Sequence, residues 1–99
     1  LSPAIIRMMT SNQIGDLNVG TRKFGLGVGI ATETEAARTP PSAGSFDWGG
    51  AFATTYWVDP KEGIVGLFFT QKYPHSYGEL AAKFRVLTYQ AITLPIQRN

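Results

Sequence analysis

Hydrophobic residues near the start of the chain recur first at helical spacing and then at strand spacing. Ser2 followed by Pro3 is typical of a helix N-cap with proline at the first helical position. Four apolar residues follow at helical spacing: Ile5, Ile6, Met8 and Met9. We therefore predict a short helix that ends at about Ser11. From Phe24 to Ala31 bulky residues alternate with glycines, which predicts one strand with a bulky face and a bare face.

A polar segment, residues 32 to 44, separates this strand from a second apolar region. Its adjacent prolines, Pro40 and Pro41, exclude a central strand and predict a loop. The region that follows is rich in aromatic and β-branched residues. It predicts strands over Ser45 to Trp48 and over Ala51 to Val58, with a break at the two glycines between them.

The rest of the pattern predicts a hairpin, a buried strand and a closing helix. Asp59 to Gly63 has the composition of a tight turn, and Ile64 to Phe69 is apolar on both faces, so we expect that strand to be covered on both. Ser76 and Glu79 form a Ser-x-x-Glu capping box, and apolar residues then recur every three or four positions to about Ile92. This order favours an α+β fold, with an antiparallel sheet of three to four strands flanked by an N-terminal and a C-terminal helix.

Composition describes one globular unit, or part of one, over residues 1–99. Hydrophobic residues make up 43% and charged residues 16%, too apolar for a disordered chain. The net charge of +2 is spread along the chain and the aromatic residues lie in strand-like runs, which argues against a nucleic-acid partner. No apolar run is long enough to span a membrane. The chain begins with Leu1 rather than Met, which fits a segment of a longer protein.

Side chains that carry common catalytic chemistry are sparse. The chain has no cysteine, and its single histidine, His75, has no second ligand nearby in sequence, so we predict neither a metal nor another cofactor. No serine is followed three residues later by lysine, no Gly-x-Ser-x-Gly motif occurs, and no acid–base pair of carboxylates can be named. Gly25, Gly27 and Gly29 lack the last glycine of a phosphate loop, so a glycine-lined strand face is the preferred interpretation.

Several short sequence motifs that occur in a fixed order along the chain remain to be interpreted. Its centre is Trp48-Gly49-Gly50-Ala51, followed by the turn Trp57-Val58-Asp59-Pro60. Around it lie the Leu1-Ser2-Pro3 helix start, the strand from Phe24, Phe69-Thr70-Gln71, and Phe84-Arg85 with Tyr89-Gln90-Ala91 on the closing helix. Together they resemble the third active-site box of the serine β-lactamase and penicillin-binding-protein superfamily. The resemblance is to the variant in class C-like esterases, where Trp-Gly-Gly or His-Gly-Gly replaces Lys-Thr-Gly, and it extends over nearly the whole chain.

In that family the strand that carries the third box borders the substrate cleft, and the bound acyl group lies along it. The resemblance implies that Trp48, Gly49 and Gly50 bind substrate, and that the backbone N–H of Ala51 is one of two oxyanion-hole donors. Trp48 stands where the lactamases have a lysine that holds a substrate carboxylate. An indole offers bulk and one N–H but no charge, so a small neutral ester or amide is the expected substrate.

The nucleophile and its base are missing from this chain, because the family's Ser-x-x-Lys and Tyr-x-Asn or Tyr-x-Ser boxes are absent. The resemblance therefore implies a longer parent protein with the larger β-lactamase/transpeptidase-like fold. Its N-terminal remainder would supply the serine, the lysine, the tyrosine and further strands, and the chain alone is expected to be inactive. We also expect an exposed strand edge that favours a homodimer. The compartment stays undetermined; a periplasmic or secreted parent of bacterial type is one alternative.

Three other interpretations stay open at this point. The chain can be a non-catalytic module that binds a partner by adding a strand to an open sheet edge. It can be a degenerate homologue that serves as a regulatory or penicillin-binding sensor. It can also be an unrelated sheet protein in which the tryptophan belongs to the core and the glycines form a bulge. An upstream Ser-x-x-Lys in the coding sequence favours the enzyme, and its absence favours the module.

Overall fold

The described part of the chain folds into a five-stranded antiparallel sheet with three helices. The computed structural model describes residues 1–71 and 78–92. Its elements are α1 (Pro3–Met9), β1 (Lys23–Phe24), β2 (Gly29–Ile30), α2 (Glu33–Ala36), β3 (Phe46–Gly49), β4 (Thr55–Asp59), β5 (Ile64–Phe68) and α3 (Gly78–Gln90). The strands lie in the order β1-β2-β3-β4-β5, so each pairs with its neighbour in sequence. The α+β class is confirmed, with five strands rather than three to four.

Helix α1 begins as predicted and ends earlier. The Ser2 side chain accepts a hydrogen bond from Ile5 N at 3.3 Å, and Pro3 occupies the first turn. The helix ends at Met9 rather than near Ser11, and none of its residues is buried. No helix in the part of the chain that the structure describes is long and apolar enough to cross a bilayer.

The prediction of one strand from Phe24 to Ala31 is wrong, because this stretch is a hairpin of β1 and β2. Gly25 N donates to Val28 O at 2.9 Å, and Gly27 has a φ of +92°, a conformation that side chains with a Cβ rarely adopt. The alternation of bulky residues and glycines therefore conceals a tight turn. The polar segment after it is not all loop, since it contains the four residues of α2.

The strand predicted over Ala51 to Val58 also starts later than expected. Ala51 lies in a turn between β3 and β4, and β4 begins at Thr55. The turn is closed by a hydrogen bond from Gly50 N to Thr54 O at 2.9 Å, and Ala53 has a φ of +64°. The Thr70 hydroxyl lies 2.7 Å from the Phe52 carbonyl oxygen and 3.0 Å from that of Ala53, so the segment after β5 holds the turn in place.

The hairpin between β4 and β5 is confirmed. Gly63 N donates to Asp59 O at 2.8 Å, and Gly63 has a φ of +72°. The expectation that the strand from Ile64 is covered on both faces is wrong in the described part of the chain, where Val65 and Leu67 are 65% and 57% exposed. One face of the sheet packs on α3, and the other is open among the described residues.

The core lies between the sheet and α3, with Trp57 at its centre. Trp57 is completely buried and packs its ring against Phe84, with 5.9 Å between centroids, while the Arg85 guanidinium lies 5.0 Å from the centroid. Helix α3 ends at Gln90, two residues before the predicted end. The predicted capping box lies outside the described residues at Ser76, as does His75.

A hydrogen-bonded chain ties α3 to the end of β4. Trp57 Nε1 donates to the Tyr89 hydroxyl at 3.1 Å, and this hydroxyl donates to Asp59 Oδ2 at 2.6 Å. Burial alone raises the pKa of Asp59, but hydrogen bonds from Tyr89 and from the backbone of Glu62 and Ser42 outweigh it, so the pKa is lowered. Burial, and then the bond to the Asp59 carboxylate, raise the pKa of Tyr89.

Candidate functional site: the open end of strand β3

The four residues of the predicted site lie together at the exposed end of β3. Trp48 and Gly49 are the last two residues of the strand, and Gly50 and Ala51 begin the turn that follows. All four are exposed, and the Trp48 residue is 52% exposed. The segment is therefore accessible, with α3 packed on the opposite face of the sheet.

Backbone pairing shows which way the main chain of this segment faces. Gly50 N donates to Thr54 O on the β4 side. Because alternate residues of an antiparallel strand bond to opposite neighbours, the N–H and C=O of Gly49 point to the other side, where β2 would lie. Strand β2 begins at Gly29, opposite Asp47, and does not reach Gly49. The main chain of Gly49 therefore has no strand partner on the β2 side in the described part of the chain.

The backbone N–H of Ala51 has no hydrogen-bond acceptor within residues 1–71 and 78–92. Ala51 is an exposed residue, so solvent or a ligand can supply the missing acceptor. An exposed N–H at the end of a paired strand can bind the oxygen of a reacting carbonyl. The donor that the resemblance assigns to an oxyanion hole is therefore accessible to a ligand.

A small cavity of about 180 Å³ borders this segment. Its described lining is Trp48, Gly49, Gly50, Thr54, Thr55, Tyr56 and Phe69, and none of these side chains is charged. The Trp48 ring packs edge-on against Phe24, with 5.4 Å between the centroids, and this contact orients the indole. The cavity can hold a small apolar group, with hydroxyls from its threonines as polar partners.

The two glycines of the segment also pack closely against Thr54 at the end of the turn. A Cβ on Gly50 would lie 2.6 Å from Thr54 Oγ1, and a Cβ on Gly49 would lie 3.0 Å from Thr54 O. Both distances are shorter than ordinary contacts, so a Cβ at either position would require Thr54 to shift. Their bare backbone is therefore consistent with both an acyl-binding role and a local packing role.

No complete catalytic set occurs among the residues described. Ser45 precedes β3, but its Oγ is buried and has no hydrogen-bond partner in the described part of the chain. A serine nucleophile needs a base within hydrogen-bond reach, so Ser45 does not qualify. No group of three or more histidine, cysteine or acidic residues that could hold a metal ion occurs within residues 1–71 and 78–92.

The sequence reasoning missed a charged network behind the site. Asp47 directly precedes Trp48, and alternation places its carboxylate on the α3 face, next to Trp57. Arg22 Nη1 lies 2.5 Å from Asp47 Oδ1, and Arg85 Nη2 lies 3.6 Å from Asp47 Oδ2. Arg22 Nε also lies 3.2 Å from Glu35 Oε1. The sequence contains one signal of this network, because Asp47 is an acidic residue between two aromatic strand residues and a buried charge needs a partner.

No protein-family model matches the chain. The chain is similar to two curated proteins of Mycobacterium tuberculosis, "Uncharacterized protein MT1414" of strain CDC 1551 / Oshkosh and "Protein Rv1367c" of strain ATCC 25618 / H37Rv. Each is 29% identical to it in a match of 96 aligned positions, and the match covers 83% of this chain and 24% of the relative. The chain therefore spans about a quarter of the length of these relatives.

Proposed function

We propose that this chain is the C-terminal part of a β-lactamase-like serine hydrolase, in which it forms one wall of the active-site cleft. The single observation that carries the proposal is the exposed main chain at the end of β3. Among the described residues, Gly49 has no strand partner on the β2 side there and the Ala51 N–H has no acceptor. An acyl group lying along this strand would place its carbonyl oxygen at the Ala51 N–H.

The chemistry expected of this wall is electrostatic. A serine from the remainder of the longer protein would attack the carbonyl carbon of an ester or amide, while a neighbouring base takes the hydroxyl proton. Negative charge then develops on the carbonyl oxygen, and the Ala51 N–H would stabilise it, a contribution of ~2.7 to 4 kcal/mol for one such donor. The alcohol or amine would leave with the proton, and water would release the acyl group from the serine.

The open edge of β5 fits the same proposal. Strand β5 is the last in the sheet order, and its outer side is unpaired in the part of the chain that the structure describes. Unpaired strand edges are normally covered or paired in folded proteins. A strand from the N-terminal remainder of a longer chain would satisfy this edge and extend the sheet.

The proposal is tested on the full-length protein that contains this sequence. A serine-directed phosphonate should label that protein covalently, and peptide mapping should place the label on a serine outside these 99 residues. The isolated chain should neither take up the label nor hydrolyse a chromogenic ester. Turnover by the pure chain, or a full-length protein that resists the phosphonate, would overturn the proposal.

Substrate preference provides a second test at Trp48. The described cavity lining carries no charge, so we expect the full-length enzyme to prefer neutral esters over carboxylate-bearing β-lactams. Trp48→Lys should raise β-lactam turnover relative to that of a simple ester, because the new ammonium would pair with the substrate carboxylate. Trp48→Phe is the matched control and should leave that ratio unchanged. An equal ratio in both variants would refute the assigned role of Trp48.

A second candidate function rests on the same β5 edge. A non-catalytic module could bind an extended peptide there by strand addition, since main-chain hydrogen bonds supply affinity in such complexes. In that case the coding sequence would contain no Ser-x-x-Lys upstream of this segment. The isolated chain would then bind a peptide, which isotope-edited NMR would locate at β5.

A further inference from the structure

A larger cavity, of about 410 Å³, lies between α2, the segment that follows it and α3. It shares no lining residue with the cavity beside Trp48. Its described walls carry three arginines, one carboxylate and several hydroxyls: Arg22, Arg38, Arg85, Glu35, Thr21, Thr34 and Thr39. Its volume lies within the range of about 300–1,000 Å³ that is usual for small-molecule sites. A ligand site in this cavity would be independent of the proposed hydrolase function.

Positive charge exceeds negative charge around this cavity. Arg22 is paired with Glu35 and Asp47, and Arg85 contacts the same Asp47. Arg38 has no ion-pair partner among the residues described and is exposed at the rim. Among the described residues, the three arginines therefore have two carboxylate partners, Glu35 and Asp47, and Arg38 pairs with neither.

Two of the arginines that line the cavity also have unused hydrogen-bonding capacity. Arg22 Nη2 and Arg85 Nε are buried donors without a hydrogen-bond partner in the described part of the chain. Buried donors in folded proteins nearly always have an acceptor, which is often a bound water or ion when no protein group is near. Both arginines line the same cavity, but these two atoms are shielded from solvent, so an anion in the cavity would reach them only if the guanidinium groups shift.

We propose that this cavity binds a phosphate group, either as free phosphate or as part of a small phosphorylated ligand. Guanidinium groups match phosphate and carboxylate oxygens through paired N–H donors. Here Arg22, Arg38 and Arg85 come from three separate segments of the chain, and threonine hydroxyls add further donors. Donors arranged around a site fit a tetrahedral oxyanion better than a planar carboxylate.

The test uses the 99-residue chain at constant ionic strength and pH. Inorganic phosphate, phenyl phosphate and acetate are titrated separately while the side-chain Nε–H resonances of the arginines are followed by NMR. We expect saturable shifts at Arg22 and Arg85 with both phosphates. Arg38→Ala should weaken phosphate binding about tenfold, because it removes one charge-assisted donor. Since Arg38 has no described ion pair, the backbone amide spectrum of the Arg38→Ala variant should show a retained fold.

Arg7→Ala is the matched control, because Arg7 is an exposed arginine of α1 and its replacement changes the net charge equally. It should leave the affinity for phosphate unchanged. Tighter binding of phenyl phosphate would identify a phosphorylated small molecule, and equal binding of the two would identify free phosphate; both support the site. Non-saturating shifts, equal weakening in Arg38→Ala and Arg7→Ala, or acetate binding as tight as phosphate binding would overturn it.

Discussion

Replacing Tyr89 with phenylalanine removes one hydroxyl that links α3 to the end of β4. This hydroxyl donates to Asp59 Oδ2 at 2.6 Å and accepts from Trp57 Nε1 at 3.1 Å. Phenylalanine keeps the ring and its packing, so the change isolates the two hydrogen bonds. Asp59 and Trp57 are fully buried, which makes the loss of a partner costly for both.

The expected loss of stability is about 3 kcal/mol. A hydrogen bond to a charged group contributes about 1.5–3 kcal/mol, and a buried donor without a partner costs about 1–3 kcal/mol. We add values near the lower ends of these two ranges, because Tyr89 is only half-buried and water can reach the vacated position. This is a large share of the roughly 5–15 kcal/mol by which small domains are stable.

The loss should also depend on pH in a defined direction. The pKa of Asp59 is lowered in the folded chain, so its carboxylate contributes stability above the unfolded pKa of about 3.9 and loses it as pH falls through the folded pKa. Tyr89→Phe removes one of the bonds that lower this pKa. The difference between wild type and variant should therefore be largest near neutral pH and shrink below about pH 4.

Urea unfolding followed by far-ultraviolet circular dichroism, at pH 7 and at pH 3.5, measures both effects. Tyr56→Phe is the matched control, since Tyr56 lies on the open face and its hydroxyl has no hydrogen bond among the residues described. The control should cost less than about 0.5 kcal/mol, as for other surface changes. Equal free energies of unfolding for the two variants, or a Tyr89→Phe effect that grows in acid, would refute the reasoning.

The packing of the sheet leads to three further expected outcomes. Gly66→Ala should destabilise the chain by about 3 kcal/mol, because the new Cβ would overlap the Trp57 ring, while Val65→Ala should change little; similar urea midpoints for both would contradict this. Asp47→Asn should lower the free energy of unfolding by about 2 kcal/mol, less than breaking a fully buried ion pair would. A thermal unfolding midpoint equal to that of wild type would refute this value. The open β5 edge should make the isolated chain associate as concentration rises, which a concentration-independent monomer in sedimentation would contradict.

Elements defined by local chemistry could be predicted from the sequence. The Ser2 cap, the turn from Asp59 to Gly63 and the apolar strands on either side of it depend on residues close together in the chain, and the structure has all of them. The hairpin hidden between Phe24 and Ala31 was missed for a physical reason. Alternating glycines satisfy the strand period equally well when one of them adopts a positive φ and reverses the chain.

The charged network behind the candidate site depends on contacts that are distant in sequence. Asp47 pairs with Arg22 and Arg85, which are 25 and 38 positions away, so no local pattern identifies the partners. The family resemblance implied a strand beside a cleft, and the structure shows Trp48 exposed on β3, while the cleft itself stays a prediction. The part of β3 that lacks a partner on the β2 side depends on where β2 begins. The turn at Gly27 sets that point.

The central claim is that the Ala51 N–H stabilises the oxygen of an acyl group bound along β3. Ala51→Pro removes this N–H, whereas Ala51→Gly keeps it, so the pair isolates the donor in the full-length protein. For ester hydrolysis we expect kcat to fall about 10²- to 10³-fold in Ala51→Pro and to stay within about threefold of wild type in Ala51→Gly. A kcat for Ala51→Pro equal to that of Ala51→Gly, at unchanged thermal stability, would contradict the claim.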